Sequence, residues 1–299
     1  MATCAGRSVV RMMRSPEPIA PEAVLTVLIN EIAALDQPLI LILDDLHLVN
    51  AAEVYQALSY LLDHMPLQLH LVLGTRADPP LPLAKLRGRG QMVELREADL
   101  RFTPAEAARF LQYSMALALG PEETAILHRR TEGWITGLQM AALSMQGREH
   151  LLDFVETFSG SHEYVVDYLT DEVLARQTDA QKTFLLQTSI LDRLCGPLCD
   201  AVTGQSDSRQ MLEHLKVANH FIVALDDERR WYRYHRLFAD LLRQRLLNRQ
   251  PEIILELHLR AGNWLEKNGF PFKAIDNVLQ AGDFVHAADM IEDIVKRST

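Results

Sequence analysis

The sequence has few cysteines, and their spacing fits neither a disulfide framework nor a zinc site. Cys4, Cys195 and Cys199 are an odd set, and the last two flank a Gly-Pro pair without a second cysteine cluster. No apolar run approaches the roughly 18 residues of a membrane span. The N-terminus also lacks the apolar core of a secretory signal. We therefore expect reduced thiols and a cytoplasmic protein that does not enter the membrane.

Positive charge is scarce. The 299 residues carry a formal net charge of −10, which excludes a nucleic-acid-binding surface spread over the whole molecule, because such surfaces need clustered Lys and Arg. A local basic patch is still compatible with this balance. With 48% hydrophobic residues, the chain can bury a sizeable core and has the length of about two domains.

The sequence contains no phosphate-cradling loop of the form G-x-x-x-x-G-K-[ST]. Such a loop supplies the backbone amides, the lysine and the hydroxyl that hold nucleotide phosphates and magnesium. In nucleotide-hydrolysing domains it precedes an acid-terminated strand, and here only a short segment precedes Pro38. We therefore expect the chain to begin inside a domain, after a frayed leader over residues 1–14. We expect no ATP turnover by the chain as given.

An acid-terminated strand is nevertheless present. The run Leu39-Ile-Leu-Ile-Leu43 stops at Asp44 and Asp45. A continuous Ile/Leu/Val run is typical of a buried parallel strand, and ligands of open α/β sheets sit beyond the carboxyl ends of such strands. The run therefore favours a magnesium-binding acid of a nucleotide-hydrolysing domain. A core strand capped by two solvated acids is the alternative.

Strand and helix patterns alternate in the first third of the chain. Helical spacing of apolar residues covers 22–35 and 51–62. The runs 39–43, 69–73 and 92–95 have strand character. This order predicts a mainly parallel sheet that is covered on both faces.

After Phe102 the pattern becomes helical. Thr103, Pro104 and Glu106 have the spacing of an N-cap, a first-turn proline and a capping box. Gly133 and Gly137 lie near a helix entrance, where glycine permits close packing of a helix against the nucleotide domain; ordinary capping is the alternative. Helices are predicted over residues 105–117, 122–130, 135–145, 164–174, 180–189 and 208–218, with a turn at Gly196-Pro197.

Two strand-like runs at 221–225 and 231–235 are joined by a charged turn. Short helices followed by a hairpin suggest a winged helix. The helical segments 253–267, 271–280 and 284–295 predict the opening of a helix-hairpin array. Because such arrays need about three repeats, we also expect further repeats beyond the C-terminus.

Two positions outside the acid pair are candidates for contact with a phosphate. Arg76 follows the second strand, where a cation can stabilise a terminal phosphate; a solvated strand end is the alternative. His235 ends the hairpin between Arg233 and Arg236, and an imidazole there can donate a hydrogen bond to a phosphate or pack in a core. A lone histidine is more often structural, but the two arginines raise the weight of the anion-binding alternative, because Arg matches phosphate geometry.

Five segments in order resemble a known family, the large ATP-dependent LuxR-type transcription regulators typified by the activator of the maltose regulon. These belong to the signal-transduction ATPases with numerous domains. The segments are LILDDLHLV (41–49), GTR (74–76), ADLRFT (98–103), TEGWITGL (131–138) and YRYHRLF (232–238). Leu46 stands where the family usually has an aromatic residue. The resemblance spans nearly everything after Pro16.

The resemblance implies roles for four residues. Asp44 would hold Mg through water, and Asp45 would stand where other members carry a catalytic carboxylate. Arg76 would read the nucleotide, and His235 would touch the phosphates of bound ADP. With ADP the winged helix would be locked, whereas an inducer and ATP would release it for self-association. ATP or ADP and Mg are thus expected in the full-length parent, although this chain alone could lack them.

The expected fold is α/β followed by all-α. It comprises an incomplete parallel-sheet P-loop-type NTPase core at 1–100, a helical lid at 101–160, a winged helix at 161–248 and the start of a TPR-like helical repeat at 249–299. The expected partners are a small-molecule inducer or regulatory protein on the repeats, and DNA only through a C-terminal domain outside this chain. The alternative is a nucleotide-independent protein-interaction module. Direct DNA binding by the winged helix is disfavoured, because its helix at 208–218 carries only Arg209 and Lys216 as bases beside Glu213.

Overall fold

The computed structural model describes residues 6–14, 19–146, 151–217 and 221–298. The chain divides into two units, Met1–Glu94 and Leu95–Thr299. The first unit contains a small parallel sheet, and the second is helical apart from one short hairpin. No helix in the described ranges combines the length and apolarity that a membrane crossing requires.

The first unit alternates helices and strands, as the sequence predicts. Its elements are α1 (Arg7–Met13), α2 (Pro21–Ala33), β1 (Leu39–Leu43), a 3-10 turn (Leu46–Leu48), α3 (Ala52–Asp63), β2 (Leu69–Leu73) and α4 (Leu83–Gly88). The expectation of a frayed leader is wrong for residues 7–13, because they form α1. The Glu31 carboxylate accepts the backbone N–H groups of Gly6 and Ser8 and so ties α1 to α2.

The parallel sheet has two strands in the described residues, with Leu41 of β1 opposite Leu71 of β2. Leu69 packs with Ile32 of α2 and Leu61 of α3, so helices cover one face. The other face is open: Ile40 and Ile42 of β1 are 62% and 65% exposed. The prediction of a sheet covered on both faces is therefore wrong for these residues, because α2 and α3 pack on the same side.

The predicted third strand at 92–95 is also wrong. Residues 91–96 have no regular structure, and Val93 is 90% exposed. Among the described residues no strand pairs with this segment, so its apolar spacing alone does not produce a strand.

The second unit begins with six α-helices in the described residues, four of which fall on predicted segments, whereas those at Glu97–Leu100 and Leu151–Thr157 were not predicted. They are α5 (Glu97–Leu100), α6 (Pro104–Arg109), α7 (Pro121–Thr131), α8 (Ile135–Met145), α9 (Leu151–Thr157) and α10 (Glu163–Tyr168). The predicted helices at 105–117 and 164–174 change to π-helical turns at Phe110–Ser114 and Leu169–Leu174.

The start of α6 confirms the predicted capping box. The Glu106 backbone N–H donates to the Thr103 hydroxyl at 3.3 Å, and the Thr103 N–H donates to the Glu106 carboxylate at 2.9 Å. These bonds satisfy donors that a helix N-terminus otherwise leaves unpaired.

Three helices, a hairpin and a long helix form the winged-helix region. Its elements are α11 (Asp179–Thr188), α12 (Gly196–Thr203), α13 (Ser208–Val217), β3 (Ile222–Ala224), β4 (Tyr232–Tyr234) and α14 (Arg236–Arg249). The strands are antiparallel, with Val223 opposite Arg233. The turn predicted at Gly196-Pro197 is wrong, because Pro197 lies in the first turn of α12, where a missing N–H costs nothing.

The chain continues into α15 (Ile254–Lys267), α16 (Pro271–Gln280) and α17 (Phe284–Ser298), which pack in sequence, α15 on α16 and α16 on α17. Gly262 of α15 allows close approach, since a Cβ there would lie 2.6 Å from a methyl group of Val278. Three predicted helices are thus present. One hydrophobic core, which includes Leu127, Phe158, Phe184 and Phe238, extends through the second unit.

Candidate functional site

The two predicted magnesium-binding acids lie directly after β1. Asp44 and Asp45 are both exposed, and the Asp45 backbone N–H donates to Asp44 Oδ1 at 2.9 Å. Asp45 has a φ of 51°, a left-handed conformation that Asp tolerates better than most residues. The chain therefore turns sharply at the strand end and presents both carboxylates to solvent.

Gly74 holds the end of β2 against the end of β1. Its N–H donates to the Leu43 carbonyl at 2.8 Å, and its carbonyl accepts the Leu46 N–H at 3.0 Å. A Cβ at Gly74 would lie 2.2 Å from Asp44 Oδ1, so the small residue leaves room for that carboxylate. Arg76, two residues further on, is exposed. Asp44, Asp45 and Arg76 thus follow the carboxyl ends of two paired parallel strands.

This donor set fits a magnesium ion held mainly through water and phosphate. Mg²⁺ usually takes one or two carboxylates and keeps several waters, and Asp44 and Asp45 offer two solvent-facing carboxylates. Among the described residues, no group of three or more His, Cys, Asp or Glu side chains could form a protein-only metal cage. The assignments of Mg to Asp44 and of a catalytic role to Asp45 stay predictions.

His235 lies in the second unit, at the start of α14. Its side chain is only 1% exposed, and its Nε2 donates to the Thr131 carbonyl at 3.0 Å. The ring packs edge-to-face against Trp134 and Phe221. Burial lowers the pKa of His235, an effect that the nearby Glu132 carboxylate partly offsets. The imidazole is therefore a neutral donor that joins the hairpin to the end of α7, and its contact with ADP stays a prediction.

Glu132 is the centre of a cluster of arginines, which we call the Glu132 cluster: Glu132, Arg101, Arg233 and Arg236. Arg233 donates to both carboxylate oxygens, at 2.7 and 2.8 Å. Arg101 donates to the same carboxylate at 3.0 Å. The Arg236 backbone N–H, in the first turn of α14, adds a bond of 3.2 Å. One carboxylate thus connects α7 with both β4 and α14.

The electrostatics of Glu132 favour its charged form strongly. Burial alone would raise its pKa, but hydrogen bonds from Arg233 and Arg101, together with nearby positive charge, lower the pKa to about 2. The side chain is 10% exposed, and that of Arg233 is 31% exposed. Bidentate Arg–carboxylate pairs in such partly buried settings are among the stronger polar contacts in proteins.

The backbone at Glu132 and Gly133 sets this geometry. Both have positive φ, 52° and 74°, so the chain reverses after α7 and turns the Glu132 side chain towards β4. A Cβ at Gly133 would lie 2.4 Å from the Phe102 carbonyl oxygen, and the Phe102 N–H donates to the Gly133 carbonyl at 2.8 Å. A Cβ at Gly137 would lie 3.3 Å from a Leu237 methyl, so this glycine allows close approach to α14.

The sequence pointed to Arg233 and His235 but missed their partners. Arg233 was expected to bind an anion, and its anion in the structure is Glu132. Thr131 and Glu132 precede Gly133 within the segment TEGWITGL. A carboxylate next to a glycine that can adopt a positive φ was the sequence feature that could have indicated this site. The distance of 101 residues between Glu132 and Arg233 gave no local hint of the pairing.

Comparison with known proteins supports the winged-helix interpretation. Residues 170–254 match the family model of the MalT winged helix domain. This range contains α11 to α14, the hairpin, Arg233 and His235.

Two curated relatives align with about nine tenths of the chain. The HTH-type transcriptional regulator MalT of Yersinia enterocolitica is 35% identical over 279 residues, which are 91% of this chain and 30% of that protein. The serine/threonine-protein kinase PknK of Mycobacterium tuberculosis is 34% identical over 269 residues, which are 90% of this chain and 24% of that protein. The chain therefore spans about a quarter to a third of the length of these relatives.

A solved structure, the signal transduction ATPase with numerous domains (STAND) with a tetratricopeptide repeat sensor from Pyrococcus horikoshii, is 18% identical with a TM-score of 0.35. The match covers 91% of this chain and 37% of the chain in that structure. The family match and the MalT alignment confirm the resemblance that the five sequence segments predict. Residues 170–254 are thus similar to the MalT winged helix domain, and most of the chain is similar to part of MalT.

Proposed function

We propose that this chain is the regulatory part of a cytoplasmic, ATP-dependent transcription regulator of the LuxR and STAND type, switched by ATP and ADP and responsive to an inducer. In this proposal residues 1–100 are the nucleotide-binding part, 101–160 the lid, 161–248 the winged helix and 249–299 the start of the inducer-sensing repeat. Self-association would mark the active state. DNA would be read by a domain outside residues 1–299.

The observation that carries the proposal is the double connection between α7 and the winged-helix region. His235 donates a hydrogen bond to the Thr131 carbonyl, and Arg233 donates two hydrogen bonds to the Glu132 carboxylate. Thr131 at the end of α7 and its C-cap Glu132 thus hold His235 at the start of α14 and Arg233 of β4. Such a connection is suited to a lock, because both contacts break together if the hairpin moves away.

The nucleotide end of the switch is proposed from Asp44, Asp45 and Arg76. A bound magnesium would neutralise phosphate charge there, and the two exposed carboxylates would orient its water ligands. Arg76 would sense the terminal phosphate. His235 would contact the ADP phosphates in the locked state, as the family resemblance implies.

A second candidate is a nucleotide-independent module for protein interaction. It is favoured by the lack of a G-x-x-x-x-G-K-[ST] loop in the sequence. It also fits the similar identity, 34% and 35%, to one protein named as a kinase and another named as a transcriptional regulator. In this alternative the winged helix and the α15–α17 helices provide the binding surface.

Calorimetric titration of the full chain with ADP and Mg²⁺ distinguishes the two candidates. Under the switch proposal the chain binds ADP. The double variant Asp44→Ala/Asp45→Ala reduces the part of the ADP affinity that depends on magnesium. In the switch proposal His235→Ala removes a hydrogen bond to a charged phosphate, which is worth about 1.5–3 kcal/mol. The affinity for ADP should therefore fall roughly tenfold to hundredfold. A chain that melts cooperatively but binds no ADP would favour the second candidate for residues 1–299. Unchanged ADP affinity in His235→Ala with a lower melting temperature would leave His235 as a packing residue.

A further inference from the structure

The second unit contains a cleft of about 930 Å³ whose charge is opposite to that of the whole chain. Three carboxylates and six arginines line it, although the protein as a whole has a net charge of −10. The lining arginines are Arg101, Arg129, Arg130, Arg233, Arg236 and Arg243. The cleft has the volume of a small-molecule site.

The charge of several of these arginines is not neutralised within the cleft. Arg130 donates to the backbone carbonyls of Phe158 and Glu156, which fix the guanidinium without cancelling its charge. Arg243 donates from Nε to the Ser189 carbonyl at 2.8 Å. Backbone carbonyls hold both side chains in place; among the described residues Arg130 has no carboxylate partner, whereas Arg243 also lies 3.5 Å from Asp192.

Two of the three acids of the cleft are paired with cations, and the third, Asp240, accepts only the Gly160 N–H at 3.5 Å within the part of the chain that the structure describes. Glu132 is shared by the arginines of its cluster. Asp192 accepts from Lys273 at 3.1 Å and lies 3.5 Å from Arg243. Arg129 is exposed, and in the described ranges it forms no hydrogen bond or ion pair. Arg236 is 58% exposed and reaches Glu132 only at 4.0 Å. These two guanidinium groups are the most available to a ligand.

Glu132 shows which chemistry the cleft accepts. Its carboxylate lies at the N-terminus of the 14-residue helix α14, where the Arg236 N–H donates to it, and it takes the fork of Arg233 in bidentate geometry. A helix N-terminus and arginine forks together favour carboxylate or phosphate oxygens. The three carboxylates do not balance the six arginines of the cleft, so a ligand with several anionic groups fits the remaining space.

We propose that this cleft binds the polyphosphate group of a small molecule, with Arg129 and Arg236 as contact residues and Arg130 and Arg243 as fixed cations. The proposal does not rest on nucleotide switching, because all lining residues belong to the second unit. Free polyphosphate and the triphosphate of a nucleotide share this chemistry.

Calorimetric titration of the full chain with inorganic tripolyphosphate, without magnesium, tests the proposal. We expect binding that weakens roughly tenfold or more in Arg129→Gln/Arg236→Gln, because charge-assisted bonds to phosphate are lost. The matched control Arg209→Gln/Arg249→Gln removes two exposed arginines that do not line the cleft, and it should retain the affinity. An equal loss of tripolyphosphate affinity in the two double variants would overturn the proposal, because it would show that the overall charge of the protein determines binding. Absence of tripolyphosphate binding by a folded chain would also overturn it.

Further titrations distinguish free polyphosphate from the triphosphate of a nucleotide, and they test which of the two units binds the ligand. If the polyphosphate group is recognised, ATP and tripolyphosphate bind with similar affinity and adenosine does not compete. Asp44→Ala/Asp45→Ala should leave tripolyphosphate binding unchanged, whereas loss in that variant would place the site in the first unit and refute the cleft. A single-stranded oligonucleotide that displaces tripolyphosphate at much lower concentration would overturn the proposal in favour of a nucleic-acid strand. Melting curves of each variant check that the cleft is still folded.

Discussion

Arg233 in β4 and Glu132 after α7, which are 101 residues apart in the sequence, are joined by two hydrogen bonds of 2.7 and 2.8 Å. The pair links the winged-helix region to the preceding helices at a point where the chain reverses direction. Neighbouring His235 adds a second link through Thr131. The strength of this connection decides how easily the winged-helix region could separate from α7.

The first prediction concerns the energy of the Glu132–Arg233 pair. A double-mutant cycle with Glu132→Gln and Arg233→Gln, followed by urea unfolding, should give a coupling of roughly 1.5–3 kcal/mol, since the bonds are bidentate, charge-assisted and partly buried. The matched control is the Arg209–Glu213 pair, whose side chains are 80% and 50% exposed. Its coupling should be about 0.3–0.5 kcal/mol. Similar couplings for the two pairs would show that Glu132 is no special connection.

The second prediction concerns acid. The folded-state pKa of Glu132 is about 2, below the ordinary glutamate value of about 4.3. Its contribution to stability is therefore complete above about pH 4.3 and is lost as the pH falls through the folded pKa. The stability of Glu132→Gln should depend less on pH over this window than that of the natural chain. Urea unfolding monitored at stepwise lower pH measures the difference, and parallel curves for the two proteins would contradict it.

The sequence predicts most helices of the second unit because their signals are local. The capping box at Thr103 and Glu106 and the first-turn proline Pro104 of α6 act within a few residues. The open face of β1 at Ile40 and Ile42 could not be predicted, since a continuous apolar run indicates burial without showing which neighbours supply it. Likewise, the partners of Arg233 and His235 depend on tertiary packing, which brings α7 against the hairpin.

The third prediction concerns Gly133, which supports the Glu132 geometry. Gly133→Ala meets two costs, a φ of 74° and a Cβ only 2.4 Å from the Phe102 carbonyl oxygen. Gly269→Ala is the matched control, because Gly269 has a φ of 85° but a Cβ there would meet no atom within 4 Å. The control should lose about 1 kcal/mol, and Gly133→Ala clearly more. If the two variants lost the same stability in thermal and urea unfolding, the Phe102 carbonyl would move away from the new methyl group without an energetic cost.

The fourth prediction concerns catalysis by the first unit. Phosphoryl transfer depends on positioned amides and a lysine around the phosphates, and the sequence has no G-x-x-x-x-G-K-[ST] loop to supply them. We expect no magnesium-dependent ATP turnover by the full chain above the level of Asp44→Ala/Asp45→Ala. A phosphate-release assay compares the two proteins. Turnover that the double variant abolishes would show that Asp44 and Asp45 act in catalysis without that loop.

The last prediction concerns the protonation of His235. Burial lowers the folded-state pKa of its imidazole below the ordinary value of 6.5. The unfolded chain therefore takes up a proton at higher pH than the folded chain does. The stabilising contribution of neutral His235 is present above about pH 6.5 and is lost as the pH falls below it.

His235→Gln keeps a donor for the Thr131 carbonyl but cannot titrate. Between about pH 7.5 and 5.5 the melting temperature of the natural chain should fall more than that of this variant, because only the natural chain gains a proton on unfolding at position 235. This window lies above that of Glu132, so the two effects separate. If both proteins lost the same number of degrees, the buried imidazole would not be linked to stability. If the variant lost more, the sign of the pKa shift at His235 would be reversed.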